Sequence, residues 1–169
     1  MRYKLLLIVL LLGCKPEQKA NTSRLAYDRW VGDIKFDKSK DSDLFKLCND
    51  DLQTYQYFND GNGLEYEGEK KAISEAFETH FVSKQASETG LVRIRFIVNC
   101  KGQTGRFRLL GMDKNYKEKE FHVSITNQLL TIAKSLDKWR PKFINEEPVD
   151  YYQYLIIKME NGKILEILT

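Results

Sequence analysis

The sequence predicts an α+β domain in which a small antiparallel sheet of two hairpins packs against two helices. Three observations predict it. Apolar residues recur at three- and four-residue steps in two separate segments, and each segment gives way to strand-like runs. The last two runs are joined by Asn161-Gly162, a pair that tolerates the positive φ values of a tight hairpin turn. The order helix, hairpin, helix, hairpin then places both helices on one face of an antiparallel sheet.

The elements follow in chain order. In "DSDLFKLCNDDLQTYQYFN" the closeness of Leu44, Phe45, Leu47 and Cys48 predicts a helical turn or two, and Gly61 and Gly63 mark a loop. In "GEKKAISEAFETHFV" the residues Ile73, Ala76, Phe77, His80 and Phe81 share one helical face, which makes His80 a hydrogen-bonded core histidine. In "LVRIRFIV" the residues Val92, Ile94, Phe96 and Val98 alternate with Arg93 and Arg95, the pattern of a half-buried strand. "NCKGQTG" supplies a glycine turn, and "RFRLL" resumes alternation through Phe107 and Leu109, completing a first hairpin. In "FHVSITNQLLTIAKSLDKW" the residues Ile125, Leu129, Ile132, Ala133 and Leu136 define the second helix, which Pro141 bars from continuing. "YYQYLIIKME" and "KILEIL" form the second hairpin.

The N-terminus reads differently. A positive start, Met1 to Lys4, precedes an apolar run from Leu5 to Leu12 that is far shorter than the about 20 residues needed to span a bilayer. These are the proportions of a secretory signal. The ending Leu11-Leu12-Gly13-Cys14 resembles the bacterial lipobox, which implies that Cys14 becomes the lipidated first residue of the exported chain. The expected division is a signal peptide over 1–13, a lipidated N-terminus and tether over 14–40, an extension over 41–64 and the α+β domain over 65–169. Within the tether, Trp30, Val31, Ile34 and Phe36 are expected to pack onto the domain. Removing 1–13 takes away Arg2 and Lys4 and lowers the formal net charge from +3 to +1, which is no polyanion binder's balance, so no nucleic-acid partner is expected.

Of the three cysteines, Cys48 and Cys100 remain after lipidation of Cys14. In an exported protein they are expected to form a disulfide, the alternative being two free buried thiols. Only His80 and His122 are present, with no spacing for metal ligation, and His122 is expected on the surface. Asp41, Asp43 and Asn49-Asp50-Asp51 lack the glycine and terminal glutamate of a calcium loop and read as solvated caps. With no nucleophile–base pair and no ligand set, an enzyme, a cofactor and a small-molecule substrate are not expected.

Strand alternation places Arg93, Arg95, Arg106 and Arg108 on one sheet face. They form either a basic patch for an acidic partner or lipid headgroups, or a sheet face neutralised by nearby carboxylates. Trp139, Tyr151, Tyr152 and Tyr154 form either an aromatic binding surface or cover for the core. Ile164, Leu165 and Ile167 lie in a final edge strand, the candidate docking strand.

"YEGEKKAISEAF", "GLVRIRFIVNCKGQTGRF", "LLTIAKSLDKWRPKF" and "PVDYYQYLIIKM", taken in order, resemble the C-terminal domain of the TonB family. The matching positions are Gly68 and Glu69; Gly90, Val92, Ile94, Phe96, Val98 and Gly102; Trp139 and Pro141; and Pro148 and Val149. The resemblance covers residues 65 to about 168. It implies a domain that pairs with a segment of an outer-membrane transporter by strand addition at an exposed sheet edge. A transducer of that family also has a transmembrane helix and a Pro-rich spacer, whereas here the apolar run is short and the prolines are Pro16, Pro141 and Pro148. The expected protein is therefore a non-catalytic interaction module in the cell envelope, lipid-anchored in the outer membrane and facing the periplasm, with Lys15 rather than aspartate after the lipid cysteine. The alternative is an auxiliary component of TonB-dependent transport. Cys14→Ser is expected to move the protein from the membrane to the soluble fraction, read by fractionation and immunoblotting; unchanged membrane association refutes lipidation.

Overall fold

Two helices and six strands follow one another in the described residues, which are 33–49, 54–56, 63–82 and 87–169 of a computed structural model. Helix α1 (Glu69–His80) starts behind Gly68, whose φ of 80° favours glycine and where an added Cβ would lie 2.7 Å from that of Ala72. It buries Ile73 and Phe77, with Ala72 and Ala76 beside them. His80 is not in the core: it is exposed, and its Nδ1 lies 2.8 Å from the Ala76 carbonyl. Phe81, four residues beyond Phe77, takes the core slot instead.

Strands β1 (Gly90–Val98), β2 (Thr104–Met112), β5 (Tyr151–Glu160) and β6 (Lys163–Leu168) build one antiparallel sheet in the order β2-β1-β5-β6. Helix α2 (Val123–Ser135) lies with α1 on one face. Val92, Ile94, Phe96 and Val98 meet Ile73, Phe77, Ile125 and Leu129 there in a single core, with Leu155 and Ile157 from the facing register of β5. This is the expected α+β architecture. The β5–β6 turn is Asn161-Gly162, with φ of 49° and 73°, as the dipeptide predicts.

Three features differ from expectation. Helix α2 ends at Ser135, well ahead of Pro141, because Leu136 turns extended and the chain carries Trp139 into the core beside Tyr66 and Phe96. A small hairpin, β3 (Lys142–Ile144) with β4 (Glu147–Val149), stands between α2 and β5. Its turn residues, Asn145 and Glu146, have φ of 50° and 70°. Glutamate rarely adopts that backbone, so the sequence carries no turn signal there. Residues 33–49 contain turns and no helix. Ser42 Oγ accepts from the Leu44 amide and Asp41 Oδ2 from the Asp37 amide, offering the backbone an alternative to helical bonds.

That N-terminal segment covers the sheet face opposite the helices. Ile34 packs with Ile97 and Tyr152, with Phe45 and Leu47 at the margin. Tyr55 then pairs in parallel with Tyr151, donating its N–H to the Asp150 carbonyl and accepting from the Tyr152 N–H, 2.8 Å each. Strand β1 is consequently buried on both faces from Arg95 to Val98 rather than half-buried throughout.

A bulge makes the seat for this cover. Between the pairs Arg95–Arg108 and Ile97–Gly105, β2 carries one extra residue, and Arg106 takes a φ of 54°. Phe107 thereby stacks on Phe96 in the core, ring centroids 4.8 Å apart, while Gly105 faces Phe45. A Cβ at Gly105 would overlap the Phe45 ring. Gly105→Ala is expected to lower unfolding free energy by about 1–3 kcal/mol in urea titrations. In a Phe45→Ala background the same change is expected to have less than half that effect; an equal effect in both backgrounds refutes the contact.

Candidate functional site

Alternation and the bulge bring Arg93, Arg95, Arg106 and Arg108 to one face, as the sequence predicts. That face is closed by the chain's own N-terminal segment. Arg95 and Arg108 stand directly opposite each other, a like-charge pairing that needs compensation. Arg108 forks onto Asp41, Nη1 to Oδ1 and Nη2 to Oδ2 at 2.7 Å each, and donates to the Lys35 carbonyl at 2.8 Å. Arg106 donates to the Ile34 carbonyl at 3.0 Å. Arg95 lies 4.3 Å over the Tyr152 ring and Arg93 5.1 Å over that of Tyr154, each on the tyrosine diagonal to it in the β1–β5 register.

Burial shapes the titration of this face. It pushes the Arg93 and Arg95 guanidiniums below their ordinary value, with the neighbouring Arg95 adding to the effect on Arg93. Burial likewise pushes the Tyr152 hydroxyl up; that hydroxyl accepts from the Ile34 amide at 3.0 Å and donates to Asp33 Oδ1. The Arg108 hydrogen bonds hold the Asp41 carboxyl below the usual aspartate range, against the opposing effect of burial. Asp41 is thus not the solvated cap its sequence context predicts: its side chain is 2% exposed.

A second cluster ties the segment to the hairpin. Cys48 and Cys100 form a disulfide, with Cα atoms 6.0 Å apart. Beside it Asp150, fully buried, accepts three backbone N–H groups: Cys48 and Asn49 on Oδ2 at 2.8 Å, and Cys100 on Oδ1 at 3.0 Å. Asn99 organises the adjoining turn, accepting from the Lys101 and Gln103 amides and donating to the Lys46 carbonyl. The sequence reading passed over Asp150 and Asn99. The only available signal was an acidic residue at the junction of Pro148-Val149 with the last hairpin. The two sulfurs and an Asp150 oxygen lie within 4.8 Å of one another, but disulfide sulfurs are not thiolate ligands.

The third feature is the edge of the sheet. Among the described residues β6 pairs with β5 alone. Ile167 is buried, Ile164 is half-buried, and Leu165 is 53% exposed at a bulge. The Lys70–Glu166 bridge, 3.3 Å, links α1 to this strand. At the opposite edge, the end of β2 is covered by the Met112–Glu118 bridge. Trp139, Tyr151 and Tyr152 are buried and serve the core, while Tyr154 is half-buried against Arg93. His122 is exposed and caps α2, its Nδ1 facing the Ser124 amide. Cys14 lies outside the described residues, among which no helix is long and apolar enough to cross a membrane.

Asp41 gives a pH dependence. Its folded value is depressed, so its contribution is complete above the unfolded value of about 4 and is lost as pH falls through the lower folded value. Urea midpoints from pH 7 to 3 are expected to show a constant stability gap between wild type and Asp41→Asn above about pH 5, closing below about pH 4. A gap that persists unchanged at pH 3 refutes the linkage. The chain matches no family model, no curated protein and no solved structure.

Proposed function

We propose that this chain is an exported, lipid-anchored protein of the cell envelope whose α+β domain binds another envelope protein by strand addition at β6. The observation that carries the reading is the one-sided pairing of β6 among the described residues, with Leu165 and Leu168 exposed. Such an edge offers a row of N–H and C=O groups, and side chains at alternate positions give selectivity. The bulge at Leu165 and the Lys70–Glu166 bridge limit indiscriminate pairing, as natural edges commonly do. The lipobox-like ending at Cys14 supports the anchor, and the ordered resemblance to the TonB C-terminal domain supports the mode of docking. On this reading the domain's role is binding rather than catalysis.

The test is crosslinking in the native envelope followed by affinity purification of wild type and a Leu165→Asp/Leu168→Asp double variant. Wild type is expected to recover a defined envelope protein that the variant loses, while the variant's unfolding free energy stays within about 1 kcal/mol of wild type, as for surface substitutions. Equal recovery by both proteins sinks the edge reading. Recovery of a transporter or of motor subunits identifies the transport role; recovery of other envelope proteins identifies a tethered adaptor.

A further inference from the structure

The disulfide forms part of the wall of a cleft of about 440 Å³, large enough for a peptide-sized ligand. Besides Cys48 and Cys100, its polar lining among the described residues is Lys46, Lys101, Asn99 and Gln103. Cys48 is exposed and Cys100 half-buried, whereas Asp150 is fully buried. The bridge is therefore reachable from solvent in the folded protein, past two ammonium groups.

We propose that the Cys48–Cys100 bridge is a thiol–disulfide exchange site, open in the native fold and selective for small thiols that carry carboxylates. The incoming thiolate attacks Sγ of Cys48, the cysteine that is the more exposed residue of the pair. The S–S bond breaks, and Cys100 leaves as a thiolate next to Lys101 and takes a proton from water. Cys48 is left in a mixed disulfide. A second thiolate attacks the ligand's sulfur in that mixed disulfide, releasing the ligand disulfide and the Cys48 thiolate. Two thiols are oxidised to one disulfide, and the protein bridge is reduced by two electrons.

The surroundings fit this chemistry. Lys46 and Lys101 concentrate anionic thiols in the cleft and oppose the buried Asp150 carboxylate, one oxygen of which lies within 4.8 Å of both sulfurs. Asp150 holds the backbone amides of both cysteines, not their sulfurs, so its bonds survive reduction. The two thiols then remain adjacent, and the bridge re-forms readily with an oxidised ligand. The site is independent of the β6 edge.

The test uses reduced glutathione, an anionic thiol, and cysteamine, a cationic one, against the folded full-length protein without denaturant, with free protein thiols counted by alkylation and mass measurement. Reduction is expected to be first order in glutathione with no plateau. The glutathione-to-cysteamine rate ratio is expected to fall severalfold, on the order of three to ten, in Lys46→Gln/Lys101→Gln, and to fall similarly for wild type at about 0.5 M salt. A rate that plateaus with thiol concentration shows that reduction waits on unfolding and overturns the proposal. A ratio unmoved by both the substitutions and salt overturns the selectivity for anionic thiols.

Discussion

The central strand β1 places two arginines, Arg93 and Arg95, on the sheet face away from the helices, and the rest of the structure accommodates that constraint. A guanidinium removed from water needs hydrogen-bond acceptors, an opposing charge or an aromatic face. Solvent would supply this for an open sheet, but Arg95 is only 8% exposed. Its compensation comes from Tyr152 beneath it and Gln56 Oε1 at 3.3 Å, and that of Arg106 and Arg108 comes from the carbonyls of Ile34 and Lys35 and the Asp41 carboxylate. Residues 33–49 thus complete the sheet. A helix-on-sheet layer pair becomes a sheet covered on both faces over the half that carries Arg95 to Val98.

The cover is held at its middle and at its C-terminal end by unlike forces. Near Asp41 the hold is ionic and directional, a two-pronged fork whose strength depends on the carboxylate staying charged. Near Cys48 it is covalent, backed by one buried carboxylate that satisfies three backbone donors. A carboxylate with no water around it is tolerated because each N–H lies within hydrogen-bonding distance and the acceptor is shared between two loops that must meet. At its N-terminal end, the small cluster of Ile34, Ile97 and Tyr152 adds apolar burial, and the bulge at Arg106 makes the space by turning Gly105 toward Phe45.

These arrangements direct attention to where a partner has room. The arginine face, the natural candidate for a charged partner, is largely engaged by the chain itself. Among the described residues, two features lie open: the β6 edge at one side of the sheet and the cleft beside the disulfide. The edge suits a strand and the cleft suits a small anionic molecule, so the two proposed interactions do not compete for the same surface.

Local sequence pattern sufficed for the two helices, the two main hairpins and the gathering of four arginines on one face. Each of these follows from a local period of 3.6 or 2 residues, or from a turn dipeptide such as Asn161-Gly162, and needs no knowledge of distant contacts. It also narrowed Cys48 and Cys100 to a pair without deciding their state. The folded chain was needed to see that His80 lies outside the core, that Asn145-Glu146 closes a third hairpin and that 33–49 lies on the sheet without forming a helix. It alone gave Asp150 and Asp41 their roles. The reason is physical: these outcomes rest on side chains meeting backbone or charge across separations such as the 102 residues from Cys48 to Asp150 and the 67 from Asp41 to Arg108, which leave no periodic trace in the chain.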